Sequence, residues 1–502
     1  MSNFLLKIFV FSFLFQGYIP RVLQTLYSDS PSNNYYYAVL YLGKNFTRLT
    51  YLIDTRLDVM TAPCHRCYFC NRNKTNFFFG SRRVKRRIGC DSDICGLLPS
   101  IGCLRPKDYI KNRQCSFLSI DFNGNGVRGY FIKEHVFFQD DRLPVNETAT
   151  DVYASHYMAT GCSLGEFGKY KNISVDGFLG LNGRNKSFIN MLSNLSMNRR
   201  GIFSICLGDG LGYLSIGTII RRYHTSDQIK YAKIINTSID AFQLDVYRIK
   251  IQKTLKVNVT LASIINSVSP FSYFPRWIYR NVMIYKTWRY FNKTGRNFSK
   301  IFFNTPDKGY CTHYNSIEEM NYDIQTWPNI NISFVGGKFF WYPENYFYRA
   351  DNNTACLGFK SHNFSYIIFG NNFMRGKDII FDYKKQRIGF VDAECDKIIY
   401  KNYTENNTNI TTNIPEYANS NNVMSVVLNN TEFMYGRNEL YYIRDYNLFN
   451  RTIEILFYSS ITFIFFFFII VIIKLYKIYK NKIIVANLDE EHKKLRQSDY
   501  EC

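Results

Sequence analysis

Between residues 35 and 398 the apolar positions fall into short runs of β-branched and aromatic side chains, separated by Gly, Asn and Pro. Tyr35-Tyr36-Tyr37-Ala38-Val39-Leu40-Tyr41-Leu42-Gly43 is the first such run, and few stretches repeat with a helical period. This pattern predicts an all-β chain. Two apolar runs stand apart from it. Residues 4–15 are almost wholly apolar but too short to cross a bilayer, which predicts a signal peptide over 1–16 and a lead-in over 17–34. Residues 455–473 hold no charge and are long enough for a transmembrane helix. Lys474, Lys477, Lys480 and Lys482 follow at once, as the positive-inside rule expects of a cytosolic flank. The chain therefore reads as a type I single-pass membrane protein with a lumenal ectodomain. A polar, Asn-rich stalk covers 399–454, and 474–502 forms a cytosolic tail.

Composition sharpens this picture. The 502 residues leave room for two or three domains, and 44 Phe and 40 Tyr favour strands over helices. A net charge of +22 suits nucleic acid, an anionic membrane or an acidic partner. No nucleic-acid motif is found, and the targeting segments exclude that reading. Of 13 cysteines, Cys502 falls in the tail and the others in the ectodomain, which allows up to six disulfides in an oxidising compartment. Cys64-x-x-Cys67-x-x-Cys70 also has zinc-hook spacing, but Cys90 and Cys95 make a poor second hook, so no metal is expected. Asn-x-Ser/Thr sequons run from Asn45 to Asn450 and predict a glycoprotein. Arg82-Arg83-Val84-Lys85-Arg86-Arg87 reads as a solvated loop, with a docking patch or a basic processing site as the alternatives.

The two parts of 35–398 are alike. Tyr51-Leu52-Ile53-Asp54-Thr55-Arg56 and Ile264-Ile265-Asn266-Ser267-Val268 are apolar strands ending in a polar tripeptide. Val175-Asp176-Gly177-Phe178-Leu179-Gly180-Leu181 and Ile367-Ile368-Phe369-Gly370 follow later in their respective parts. With Thr160-Gly161-Cys162-Ser163, Phe203-Ser204-Ile205-Cys206-Leu207-Gly208 and Arg387-Ile388-Gly389-Phe390-Val391, these segments resemble the pepsin-like (A1) aspartic protease family. The Cys-rich stretch and the membrane segment narrow the likeness to membrane-anchored plasmepsin V-type proteases of apicomplexans. The resemblance implies a bilobal fold, with an N-terminal β lobe over 35–205 that carries the Cys-rich insert and a C-terminal β lobe over 206–398. It also implies a site at Asp54 and at residue 266.

The site residues depart from the family pattern. Aspartic proteases need two carboxylates that share one proton, one acting as base and the other as acid. Asn266 stands at the second position and cannot ionise. Arg56 and Val268 replace the family glycines, and Leu57 replaces a serine that supports the first aspartate. A cation at 56 is expected to hold Asp54 ionised by charge pairing. The flap should carry a tyrosine, yet alignment on its glycine puts Asp121 there, and a one-residue shift puts Phe122. Asp58, four residues after Asp54, is a poor candidate for a substitute carboxylate, and Asp176 reads as a turn residue. His224 and His313 lie in no nucleophile motif. The expectation is a catalytically silent homologue of the secretory pathway, in the endoplasmic reticulum or another of its membranes. It takes no cofactor, and its cleft binds a peptide or protein by strand-like hydrogen bonding. Two alternatives remain: a divergent active endopeptidase that processes secretory or exported proteins, and a structural surface glycoprotein.

Overall fold

The computed structural model describes residues 22–28, 35–64, 67, 69–70, 87–99, 102–103, 114–121, 124–139, 153–184, 186–194, 198, 200–235, 242–251, 255–285, 287, 289, 303–305 and 309–398. The predicted signal peptide, stalk, membrane helix and tail lie outside them, as do Phe122 and all of the basic run except Arg87. Among the described residues no helix is long and apolar enough to cross a membrane. The chain divides into two units, Met1–Ser420 and Asn421–Cys502, and every described residue lies in the first.

The described chain is mostly strand, as the short apolar runs predict, and it forms three sheets. The largest has 14 strands and runs through both halves. Its two halves meet in the antiparallel pairing of Ile202–Leu207 with Leu211–Ile216 on one side and Lys377–Asp382 on the other. Every one of these strands is almost fully buried, so the sheet is a shared floor under the two lobes. The C-terminal half adds a seven-stranded sheet with Gly337–Trp341 at one edge and Phe359–His362 at the other, and a four-stranded sheet around Cys311 and Cys356. Aromatic side chains fill the core of this half. Phe369 stacks on Phe373 at 4.1 Å between ring centres, and Phe339 stacks on Phe373 at the same distance. Packed rings of this kind supply both area and directional contacts.

Two boundaries differ from the sequence reading. The lead-in contains a buried strand, Val22–Ser28, held between Leu211–Ile216 and Tyr36–Leu42. Its pattern, Val-Leu-Gln-Thr-Leu-Tyr-Ser, alternates poorly because both edges are paired and its residues up to Leu26 are all buried. The expected lobe boundary at 205/206 falls inside the strand Ile202–Leu207, so the lobes join within a sheet and not through a linker.

Disulfides link Cys64–Cys162, Cys67–Cys70, Cys95–Cys115, Cys206–Cys395 and Cys311–Cys356, and Cys90 is disulfide-bonded as well. The three cysteines with zinc-hook spacing are thus all used in disulfides. Among the described residues no group of His, Cys, Asp and Glu could hold a metal ion.

Candidate active site

Each half builds its part of the site with the same backbone device. The strand Thr47–Asp54 runs parallel to Gly177–Gly180, with Asp54 opposite Gly180. The strand Leu255–Ile265 runs parallel to Ile367–Phe369, and the Asn266 N–H donates to the Phe369 carbonyl at 2.9 Å. Gly180 and Gly370 close the two loops. A Cβ on Gly180 would lie 2.4 Å from the Val59 carbonyl oxygen, and one on Gly370 would lie 2.2 Å from that of Phe271. Both sites demand glycine because another segment's backbone occupies the space.

The two loops then lock together. Thr55 Oγ1 donates to the Ile265 carbonyl (2.9 Å) and accepts from the Ser267 N–H (3.2 Å). Ser267 Oγ donates to the Ile53 carbonyl (2.7 Å) and accepts from the Thr55 N–H (3.0 Å). All four groups are buried, where unmade hydrogen bonds are costly. The lock brings Asp54 and Asn266, the residues just before Thr55 and Ser267, to the same place.

The oxygen Oδ1 plays one role in both halves. In Asp54 it accepts the N–H of Arg56 (2.8 Å) and of Leu57 (3.2 Å). In Asn266 it accepts the N–H of Val268 (3.0 Å). An amide oxygen does this as well as a carboxylate oxygen, so the loop keeps its shape without the acid. Asn266 itself cannot carry a second charge or exchange a proton.

Asp54 is bound further by a group with no sequence signature. The Tyr170 hydroxyl, from the short helix Gly168–Asn172, donates to Asp54 Oδ2. Tyr170 is buried and stacks on Phe178 at 4.5 Å. Burial pushes the Asp54 carboxyl above its ordinary value, against the opposing pull of Tyr170, the two backbone N–H groups and Arg56. Arg56 pulls in the expected direction, but burial outweighs it.

Arg56 reaches the flap instead. The flap is the hairpin formed by Cys115–Ile120 and Gly126–Gln139. Arg56 Nη1 donates to Asp121 Oδ2 at 3.1 Å, and the two side chains are only 4% and 6% exposed. Asp121 is further held by the N–H (2.9 Å) and Nδ2 (3.0 Å) of Asn125. Asn125 Oδ1 in turn accepts the Lys169 N–H at 2.9 Å, tying the flap turn to the helix that carries Tyr170. A second tie links the flap to the same loop: Ser119 Oγ donates to Asp58 Oδ1 at 2.5 Å. Val268 crosses from the other half and packs against the apolar cluster that contains Leu57, Phe117 and Tyr170. The space beside Asp54 is therefore shared by a guanidinium, a phenol and an isopropyl group.

The remaining residues singled out in the sequence fall as follows. Asp58 serves the flap tie just described, and burial raises its carboxyl. Asp176 Oδ2 accepts the N–H (2.8 Å) and hydroxyl (2.9 Å) of Thr50, a turn role. His224 Nε2 lies 2.9 Å from Asp378 Oδ2, and His313 Nδ1 lies 3.1 Å from Thr354 Oγ1. Neither histidine meets Asp54 or Asn266 in these contacts. Sequence reasoning missed Tyr170 because nothing separates it from the other tyrosines until the fold closes.

Comparison with known proteins adds the following. Residues 36–218 match a family model described as "Xylanase inhibitor N-terminal", and residues 238–392 match "Xylanase inhibitor C-terminal". Plasmepsin V of Plasmodium falciparum is 20% identical over 451 residues, covering 74% of this chain and 73% of that protein. Aspartic proteinase 36 of Arabidopsis thaliana is 22% identical over 397 residues, covering 74% and 76%. Aspartic protease 5 of Toxoplasma gondii is 20% identical over 390 residues, covering 74% of this chain but only 37% of that relative's length. Among solved structures, basic 7S globulin from soybean superposes with a TM-score of 0.58 at 14% identity, covering 74% of this chain and 95% of that one.

Proposed function

From the premise that this chain belongs to the pepsin-like aspartic protease family, we propose that it is a member without proteolytic activity, kept as a membrane-anchored binding protein of the secretory pathway. One observation carries the reading. Asn266 reproduces the hydrogen bond that positions Asp54, in a loop of the same shape, and leaves the site with one carboxyl where the reaction needs two. A lone carboxyl, hydrogen-bonded to Tyr170, cannot act as base on a water while a partner acid polarises the scissile carbonyl.

Two further observations support binding over cleavage. The matching family models are named for an inhibitor. Arg56 and Asp58 tie the flap down over the loop, so a peptide enters the cleft only when those ties open. The ligand expected there is an extended peptide or protein segment. The disulfides suit an oxidising lumen, and the run at 455–473 with its lysine flank supplies the anchor.

The test is cleavage. The full-length protein is incubated with a diverse peptide library from acidic to neutral pH, beside an Asp54→Ala variant. No cleavage by folded protein is expected. Cleavage by the wild type that disappears in the variant would mean a second carboxylate is recruited from elsewhere, and the reading would fall to the active-endopeptidase alternative.

A further inference from the structure

Away from the cleft, two sheets end side by side. Among the described residues, Lys230–Lys233 is the last strand of the 14-stranded sheet, and Gly337–Trp341 is the last strand of the seven-stranded sheet. They touch at one end. The Lys233 N–H donates to the Val335 carbonyl at 2.9 Å, and a Cβ on Gly337 would lie 2.6 Å from the Tyr231 carbonyl oxygen. Glycine at 337 is what lets the edges meet there. Beside this contact lies an open cavity of about 540 Å³, lined from both edges.

The cavity wall has a distinct chemistry. Tyr231, Tyr247 and Phe340 supply aromatic surface, with Tyr247 and Phe340 still 36% and 39% exposed. Lys230 and Lys338 supply two exposed ammonium groups, and among the described residues no Asp or Glu lines this cavity. Lys230 Nζ sits 5.2 Å over the Phe340 ring, so the cation bridges the two edges. The exposed Lys338 and Phe340 alternate with the buried Phe339 and Trp341, which sets the outward face of that strand.

We propose that this wedge is a second binding site, one that takes an extended acidic segment of a partner protein as an added β-strand. Open strand edges present backbone donors and acceptors to such a segment, and alternate side chains would rest on the aromatic wall. The two lysines select carboxylates on the incoming strand. The volume lies within the usual range of ligand sites. The chain's charge of +22 favours approach of an acidic partner. The site lies outside the cleft and is independent of Asp54, Asn266 and the flap.

The experiment measures binding of a labelled peptide of alternating glutamate and valine to the full-length protein. Three comparisons decide it: the same peptide with lysine for glutamate, the same peptide N-methylated on alternate residues, and heparin as a polyanion without a peptide backbone. The expected result is saturable binding of the acidic peptide, weakened at least about tenfold by the double variant Lys230→Glu/Lys338→Glu. N-methylation and charge reversal should each weaken it as much. N-methylation needs no protein variant, so the proposal stays testable even if the double variant misfolds. Equal binding of the N-methylated peptide or of heparin would overturn the added-strand reading. Binding that persists in the lysine variant, or that is lost in Arg56→Ala while the lysine variant retains it, would place the peptide elsewhere and overturn the site.

Discussion

The loop at Asp54 and the loop at Asn266 share a scaffold and differ in what hangs on it. Both end a parallel strand, both close on a glycine that tolerates no Cβ, and both use an Oδ1 to hold the N–H two residues on. The N-terminal loop adds charge: Asp54, Arg56 and Asp58 are tied to Tyr170 and to the flap. The C-terminal loop adds no charge: Val268 packs, and Ser269 Oγ donates to the Phe271 carbonyl. Loop shape in this fold is thus set by backbone contacts, and the side chains carried on the loops can differ as long as those contacts remain.

The sharpest way to break the comparison is to remove the charge of the N-terminal loop. Arg56→Ala leaves Asp121 buried without its cation and should cost about 4 kcal/mol in denaturant unfolding. Val268→Gly should cost clearly less, and the double variant Arg56→Ala/Asp121→Ala should recover part of the loss in a double-mutant cycle. Next come the shared elements. Gly180→Ala and Gly370→Ala should each cost about 3 kcal/mol, because both Cβ atoms meet backbone oxygen. A large difference between them would mean the scaffolds are not equivalent. Tyr170→Phe should cost about 2 kcal/mol, and it should move the Asp54 carboxyl still higher, since the donated bond favours the ionised form.

The pH dependence should be lopsided too. Burial raises both Asp54 and Asp58 above their unfolded value. In that case the folded state holds its proton while the unfolded chain has released it. The resulting stability is fully present below the ordinary carboxylate value of 3.8 and is lost as pH rises through the raised folded values. Asp54→Asn should flatten this fall in a series of unfolding curves across acidic to neutral pH, whereas Asn266 contributes nothing to it. The smallest expected effect is on activity. Asn266→Asp alone should yield no peptide cleavage, because Arg56 and Tyr170 keep their places. Cleavage by that single variant would show that the second carboxylate was the one missing part.

Much of the fold was legible from periodicity. Short branched and aromatic runs predicted strands, and the paired motifs at 54 and 266 predicted a duplicated architecture with its site between the halves. What stayed hidden arises from contacts across long stretches of chain. Asp121 and Tyr170 are 65 and 116 residues from the partners they hold, and no local pattern points from one to the other. The strand Val22–Ser28 was hidden for a different reason. A strand paired on both edges and buried along most of its length loses the alternation by which half-buried strands are recognised. The net direction of the Asp54 shift is not legible in sequence, because a neighbouring charge can be read there but the depth of burial cannot.

The shared floor has a consequence for how the chain comes to be made. Its opening strand, Val22–Ser28, pairs with Leu211–Ile216, while Ile202–Leu207 waits for Lys377–Asp382. During synthesis the first lobe is therefore finished on one side while the other edge of Ile202–Leu207 stands open until about 170 further residues have emerged. An uncovered hydrophobic edge is a template for wrong pairing, and connections this distant slow folding. Newborn molecules should thus be most prone to clump just before the last two strands arrive. Truncations that end ahead of Lys377 should aggregate, while those that end after Ile398 should stay in solution.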